Sequence, residues 1–114
     1  MSDVLWVAHA VSGTPIRLTG RVWFEKILRE HPELAEMPSA AAEARLALEA
    51  PAYVVDGWAG EFLALRWCAT APKSPKFLCV VYRERAHDGF VITAFFISRY
   101  GRLLRRRIRW PAAI

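Results

Sequence analysis

Apolar positions along this chain recur with one period up to about residue 51 and with another beyond it. In the first half, Trp23, Phe24, Ile27 and Leu28 are spaced three and four apart, which places them on one stripe of a helix. The spacing predicts a helix over residues 20–30 with that stripe against a core. Thr19 is suited to cap its start. His31-Pro32 stops it, because a residue before proline is pushed out of the helical region. Pro38-Ser39 opens a second predicted helix over 40–50, rich in alanine and glutamate, which Pro51 ends. Two short extended segments, 5–10 and 15–18, precede both helices and are separated by a Ser-Gly-Thr-Pro turn.

Beyond Pro51 the pattern becomes extended. Residues 52–55, 61–68, 76–84 and 90–99 read as four strands. Asp56-Gly57, Ala71-Pro72-Lys73-Ser74-Pro75 and His87-Asp88-Gly89 are the turns between them. Links this short join antiparallel neighbours, since a parallel crossover needs a dozen or more residues. The expected architecture is α+β: N-terminal helices packed on a four-stranded antiparallel sheet, in one domain spanning 1–114, with no repeat and no linker.

Composition narrows the class. A hydrophobic share of 54% with five tryptophans supplies a core and argues against disorder along the chain. No apolar run approaches the ~20 residues that cross a bilayer. The apolar stretch 4–8 follows Asp3 instead of a basic region, which argues against a secretory signal. Cys68 and Cys79 fall in predicted strands without histidines at zinc-binding spacing. They read as reduced core thiols of a cytoplasmic protein, and neither a metal nor a cofactor is expected. Charge is divided unevenly: residues 1–57 carry a net −3 and residues 58–114 a net +8. A basic half of this strength suits a polyanion, most commonly nucleic acid, and otherwise a solvated surface.

Four residues offer chemistry. Thr93 is a hydroxyl in the middle of the longest apolar strand, and a buried hydroxyl needs a partner. It bonds backbone there or positions a ligand. His31 follows Ile27 by four and Leu28 by three, so it continues their stripe at the helix end. Imidazole both takes and gives a proton near neutral pH; a histidine that merely caps the helix is the alternative. Arg66 and Arg83 lie on strands joined by a short loop, where two guanidinium groups would grip a phosphate, or simply stand in solvent. The segment 99–110 holds six arginines. As a strand it sets Arg105, Arg107 and Arg109 on one face, against Arg106, Ile108 and Trp110. Such a tail suits an RNA backbone or an acidic partner protein. Trp58, Trp67 and Trp110 would stack on bases if exposed. Lys73, Lys76, Tyr82, Ser98, Arg99, Arg102 and Arg105 are the positions expected to meet RNA.

Several blocks bear a likeness to a known family. They are Arg21-Val22-Trp23-Phe24-Glu25-Lys26-Ile27-Leu28-Arg29-Glu30-His31-Pro32-Glu33-Leu34, the alanine-rich helix leading to Pro51-Ala52-Tyr53-Val54-Val55, Lys76-Phe77-Leu78-Cys79-Val80-Val81-Tyr82-Arg83, and Gly89-Phe90-Val91-Ile92-Thr93-Ala94-Phe95. In this order, over about residues 15–110, they resemble the small phage-associated nuclease domains of the barnase–EndoU–colicin–RelE superfamily. The resemblance implies helices on a four-stranded antiparallel sheet, with RNA cut on the sheet's exposed face. It implies no metal, and a toxin held by an antitoxin or immunity protein. His31 would then be the acid/base, Arg66 and Arg83 the phosphate grips, and Thr93 a positioning hydroxyl. No second histidine fits the pattern, because His9 lies in an early strand and His87 in a turn. Glu33, Tyr82 or a water is left as the partner acid or base. The expected activity is a metal-independent endoribonuclease in which the ribose 2′-hydroxyl attacks phosphorus. The alternatives are a non-catalytic RNA- or ribosome-binding module and a protein that docks an antitoxin.

Overall fold

Alternating side chains in the second half of the chain build the expected meander, and segments from both ends of the chain enlarge it. The computed structural model describes residues 3–111. Its strands are β1 (Val4–His9), β2 (Pro15–Thr19), β3 (Tyr53–Asp56), β4 (Phe62–Cys68), β5 (Lys76–Glu84), β6 (Gly89–Ile97) and β7 (Ile108–Trp110). They form one sheet in the order β1-β2-β6-β5-β4-β3-β7. The expected four-stranded sheet is therefore corrected to seven strands. β3 to β6 pair antiparallel, as their short links require. The β1–β2 hairpin adds two strands, and β2 runs parallel to β6 through Ile16↔Gly89 and Arg17↔Phe90. This close pairing demands a glycine: a Cβ on Gly89 would collide with the Arg83 carbonyl and the Ile16 side chain. At the other edge the basic tail returns as β7 and pairs antiparallel with β3.

Among the described residues two helices of any length accompany the sheet. The first, α1 (residues 21–30), begins as a π-helix over Arg21–Ile27 and finishes as an α-helical turn over Leu28–Glu30. The Thr19 hydroxyl accepts the Val22 N–H at 3.2 Å, so it satisfies one of the free amides at the helix start. His31 leaves the helix at φ −133°, as the following proline requires. The wider winding corrects the predicted stripe. Trp23 and Ile27 are buried, but Phe24 turns outward and is 59% exposed. Bonds from i to i+5 hold more residues per turn, so positions four apart stay aligned while a residue three apart rotates away. A 3-10 turn over Pro32–Glu36 leads to α2 (Ala40–Glu49). Ala40, Ala44 and Ala47 line its buried side with Leu48. Side chains this short bring the helix close to the sheet, and the Trp6 indole N–H reaches the Ala41 carbonyl at 2.9 Å.

Both helices lie on one face of the sheet. Ile16, Leu18, Trp23, Ile27, Leu34, Leu48, Leu78 and Val80 form the core there. The opposite face has its own smaller core of Val55, Leu63, Leu65, Phe77, Cys79 and Val81, closed by Leu103 from a 3-10 turn over Leu103–Arg105. The chain beyond β6 thus crosses this second face before joining β3. Ile92, Phe95 and Ile97 of β6 pack at its margin and stay partly exposed. Cys68 and Cys79 are free and buried, and burial pushes the Cys79 thiol up to about 12. Among the described residues no helix is long and apolar enough to cross a membrane.

Candidate active site and nucleic-acid interface

Strand register assigns each candidate to a face, because directly paired residues of antiparallel strands point the same way. Thr93 pairs with Val81 and Phe95 with Cys79, so both belong to the tail-covered face. Arg83 pairs with Phe90 and lies two positions beyond Val81, on the same face. The Thr93 hydroxyl is buried there without a hydrogen-bond partner, the one such side-chain atom among the described residues. His31 meets this face where α1 ends: its ring centroid stands 5.5 Å from that of Phe95, tilted by 39°. The imidazole is 31% exposed, and its Nδ1 lies 3.8 Å from a Glu33 carboxylate oxygen. Phe95 and Thr93 are separated by about 7 Å of strand. The structure therefore brings His31 and Thr93 to one stretch of β6, with Arg83 further along the same face.

Arg66 does not join them. It pairs with Leu78, on the helix-covered face, and its Nε lies 2.9 Å from the Glu43 carboxylate of α2. It is an inter-element ion pair, and the Cys68 thiol lies 3.9 Å from the same oxygen. Leu78 and Arg83 are five positions apart on β5, about 16 Å, and point to opposite sides. The expected pair of guanidinium groups is thus split by the sheet. A hairpin brings two strands together, but which sides their residues share depends on register, which the loop length alone does not reveal. Arg83 itself donates to the Ala59 carbonyl at 3.0 Å and stands 3.7 Å from Glu61. Glu61 is held below the usual carboxylate range, first by the Ala59 backbone N–H.

Two further cations reach the tail-covered face. Arg17 and Arg85 flank the Phe90 ring, at 5.9 and 5.1 Å from its centroid. Arg17 is also 3.0 Å from Asp88. The polar position of Arg17 between Ile16 and Leu18 was legible in the strand alternation. Its neighbour Phe90 was not, because only the parallel β2–β6 pairing brings them together.

The expected RNA contacts separate in the same way. Tyr82 is buried on the helix-covered face, its ring 5.7 Å from Phe62, and burial raises its phenol far above the ordinary range. It reaches neither His31 nor the tail-covered face. Lys76 also belongs to the helix side, opposite Cys68, with its Nζ 5.9 Å from the Phe96 ring. Lys73 is exposed in the β4–β5 loop at φ 71°, and Ser98 is exposed just past β6. Arg99, Arg102 and Arg105, with Gly101, line a concavity of about 550 Å³. The rest of the tail is partly structural. Arg106 donates to the carbonyls of Asp56 and Gly57 and covers Trp58 at 4.8 Å. Arg109 donates to Asp56 at 2.7 Å, and that bond is the first cause of the lowered Asp56 carboxyl. Trp58, Trp67 and Trp110 are 66%, 50% and 40% exposed, so their rings remain open to a base at least in part. His9 and His87 are exposed.

Chemically, the tail-covered face offers a proton carrier, a hydroxyl donor without a partner, aromatic rings and guanidinium groups. Comparison with protein-family models, with curated proteins and with solved structures finds no match to this chain.

Proposed function

We propose that this chain is an endoribonuclease acting on cytoplasmic RNA, with its site on the tail-covered face along β6 and no requirement for a divalent metal. One observation carries the reading: the partly exposed imidazole of His31 packs against Phe95, two residues along β6 from the unpartnered hydroxyl of Thr93. His31 takes the proton of the ribose 2′-hydroxyl. The O2′–P bond forms and the P–O5′ bond breaks, leaving a 2′,3′-cyclic phosphate. The departing 5′ oxygen receives a proton from the imidazolium or from water. Thr93 is a positioning hydroxyl buried in the strand beneath the site, and Arg83 offsets the developing negative charge once phosphate displaces its contact with Glu61. The Glu33 carboxylate stands 3.8 Å from the imidazole Nδ1, beside the group that moves the proton. RNA is the substrate because only RNA supplies the internal nucleophile.

The test is incubation of the purified chain with unstructured RNA in EDTA, reading cyclic phosphate ends. His31→Ala is expected to lower the rate by about 10²-fold or more. Absence of cleavage, or equal cleavage by His31→Ala, overturns the proposal. A non-catalytic RNA-binding reading is favoured by a different feature, the Arg17–Phe90–Arg85 stack, together with the engagement of Arg83 by Glu61. Salt-sensitive RNA binding without turnover assigns that reading instead.

A further inference from the structure

Some cations of this protein are paired with a carboxylate and others are not. Arg17, Arg21, Arg45, Arg66, Arg83 and Arg109 each stand beside a carboxylate. Arg99, Arg102 and Arg105 have no carboxylate within salt-bridge distance among the described residues, yet they surround one concavity. Three like charges held together without an acid repel one another, and an anion between them relieves that repulsion.

Their arrangement is fixed by the backbone. They recur every third residue, and the last two span a 3-10 turn, in which residues three apart stand on the same side. The Leu103 and Leu104 N–H groups both reach the Tyr100 carbonyl, at 3.0 and 3.2 Å, and the Arg105 N–H reaches the Arg102 carbonyl at 3.3 Å. Leu103 is buried in the second core, and the Tyr100 ring lies 4.6 Å from that of Phe77. These anchors hold the guanidinium stems at one site.

We propose that Arg99, Arg102 and Arg105 form a phosphate subsite for single-stranded RNA, away from the cleaved linkage. In this arrangement β6 is the track along which the strand lies. The proposal rests on the RNA reading above and deepens it. Arg99 follows Phe95 by four residues, at most about 13 Å of chain. In the other direction Phe90, between Arg17 and Arg85, precedes Phe95 by five residues, about 16 Å. His31 and Thr93 thus lie between two cationic ends separated by aromatic side chains. Aromatic rings interleaved with arginines suit unpaired bases, which expose a face for stacking, while bases inside a duplex do not.

The experiment compares wild type with the double variant Arg102→Gln/Arg105→Gln on three RNAs: a dinucleotide, an unstructured decamer and a fully paired duplex. Wild type is expected to prefer the decamer over both other substrates. The double variant is expected to act on the dinucleotide as wild type does and to lose about 10-fold on the decamer, mainly in KM. Its salt dependence is expected to flatten, by a slope of about 0.7 per lost phosphate contact. Equal losses on dinucleotide and decamer, no loss on either, or an unchanged salt slope overturns the subsite. Should wild type cleave none of the three, the nuclease reading falls and fluorescence anisotropy of the labelled RNAs decides the subsite independently. Tighter decamer binding that is weakened by the double variant supports it. Length-independent binding or no binding overturns it.

Discussion

On the helix-covered face of the sheet, Arg66 is matched by Glu43, the Trp6 indole by the Ala41 carbonyl, and the core between is mainly aliphatic with Trp23 and Tyr82 among it. Across the same strands, the tail-covered face buries the Thr93 hydroxyl with no partner, sets an imidazole against Phe95 and gathers Arg17 and Arg85 near Phe90. A single sheet thus carries one face with no buried side-chain polar atom left unbonded among the described residues and one that leaves the Thr93 hydroxyl so. Buried polar atoms are nearly all bonded in folded proteins, so an exception beside a proton carrier is where function is sought.

If this contrast is sound, stability and activity should respond separately to changes on the two faces. The largest effect on folding is expected from Leu78→Ala. Leu78 is fully buried beneath the helices, and its truncation should cost about 2–5 kcal/mol in denaturant unfolding. Ile97→Ala, at the partly exposed margin of the other core, should cost roughly 1 kcal/mol. Equal losses would break the comparison. A smaller effect separates the arginines: Arg83→Gln is expected to slow RNA cleavage about 10-fold with little change in stability, its ion pair being partly exposed. Arg66→Gln should leave cleavage unchanged and lower stability by about 1 kcal/mol or less. A loss of cleavage in Arg66→Gln would restore that residue to the site. The subtlest expectation concerns Thr93→Val, which removes an unsatisfied hydroxyl while keeping its shape. Stability should be unchanged or rise by up to ~1 kcal/mol, while cleavage falls. A destabilised Thr93→Val would mean that the hydroxyl is bonded in solution after all, and that its role is structural.

Local chemistry made much of this architecture legible. Thr19 caps the first helix, His31-Pro32 stops it, and Ala40–Glu49 is helical as its alanines require. The four central strands and their antiparallel pairing followed from alternation and short turns. The errors share one cause. Phe24 was misplaced because the helical period there is set by π winding against the core, which propensity does not encode. Arg66 was placed with Arg83 because both are polar positions on adjacent strands. The tail was read as one basic segment, yet Leu103 anchors it across the sheet, Arg106 and Arg109 fasten it to the β3–β4 turn, and Arg99, Arg102 and Arg105 are left facing outward.

By itself the amino-acid order determined where the two helices and the first six strands lie, and that cationic charge collects in the second half. Those properties arise from neighbours a few residues apart and from composition. Tertiary structure alone decided that the sheet has seven strands, that Arg66 and Arg83 occupy opposite faces, and that His31 comes beside Phe95 and Thr93. Each of these depends on register between distant strands, and a shift of one residue would turn every side chain of a strand to the other side.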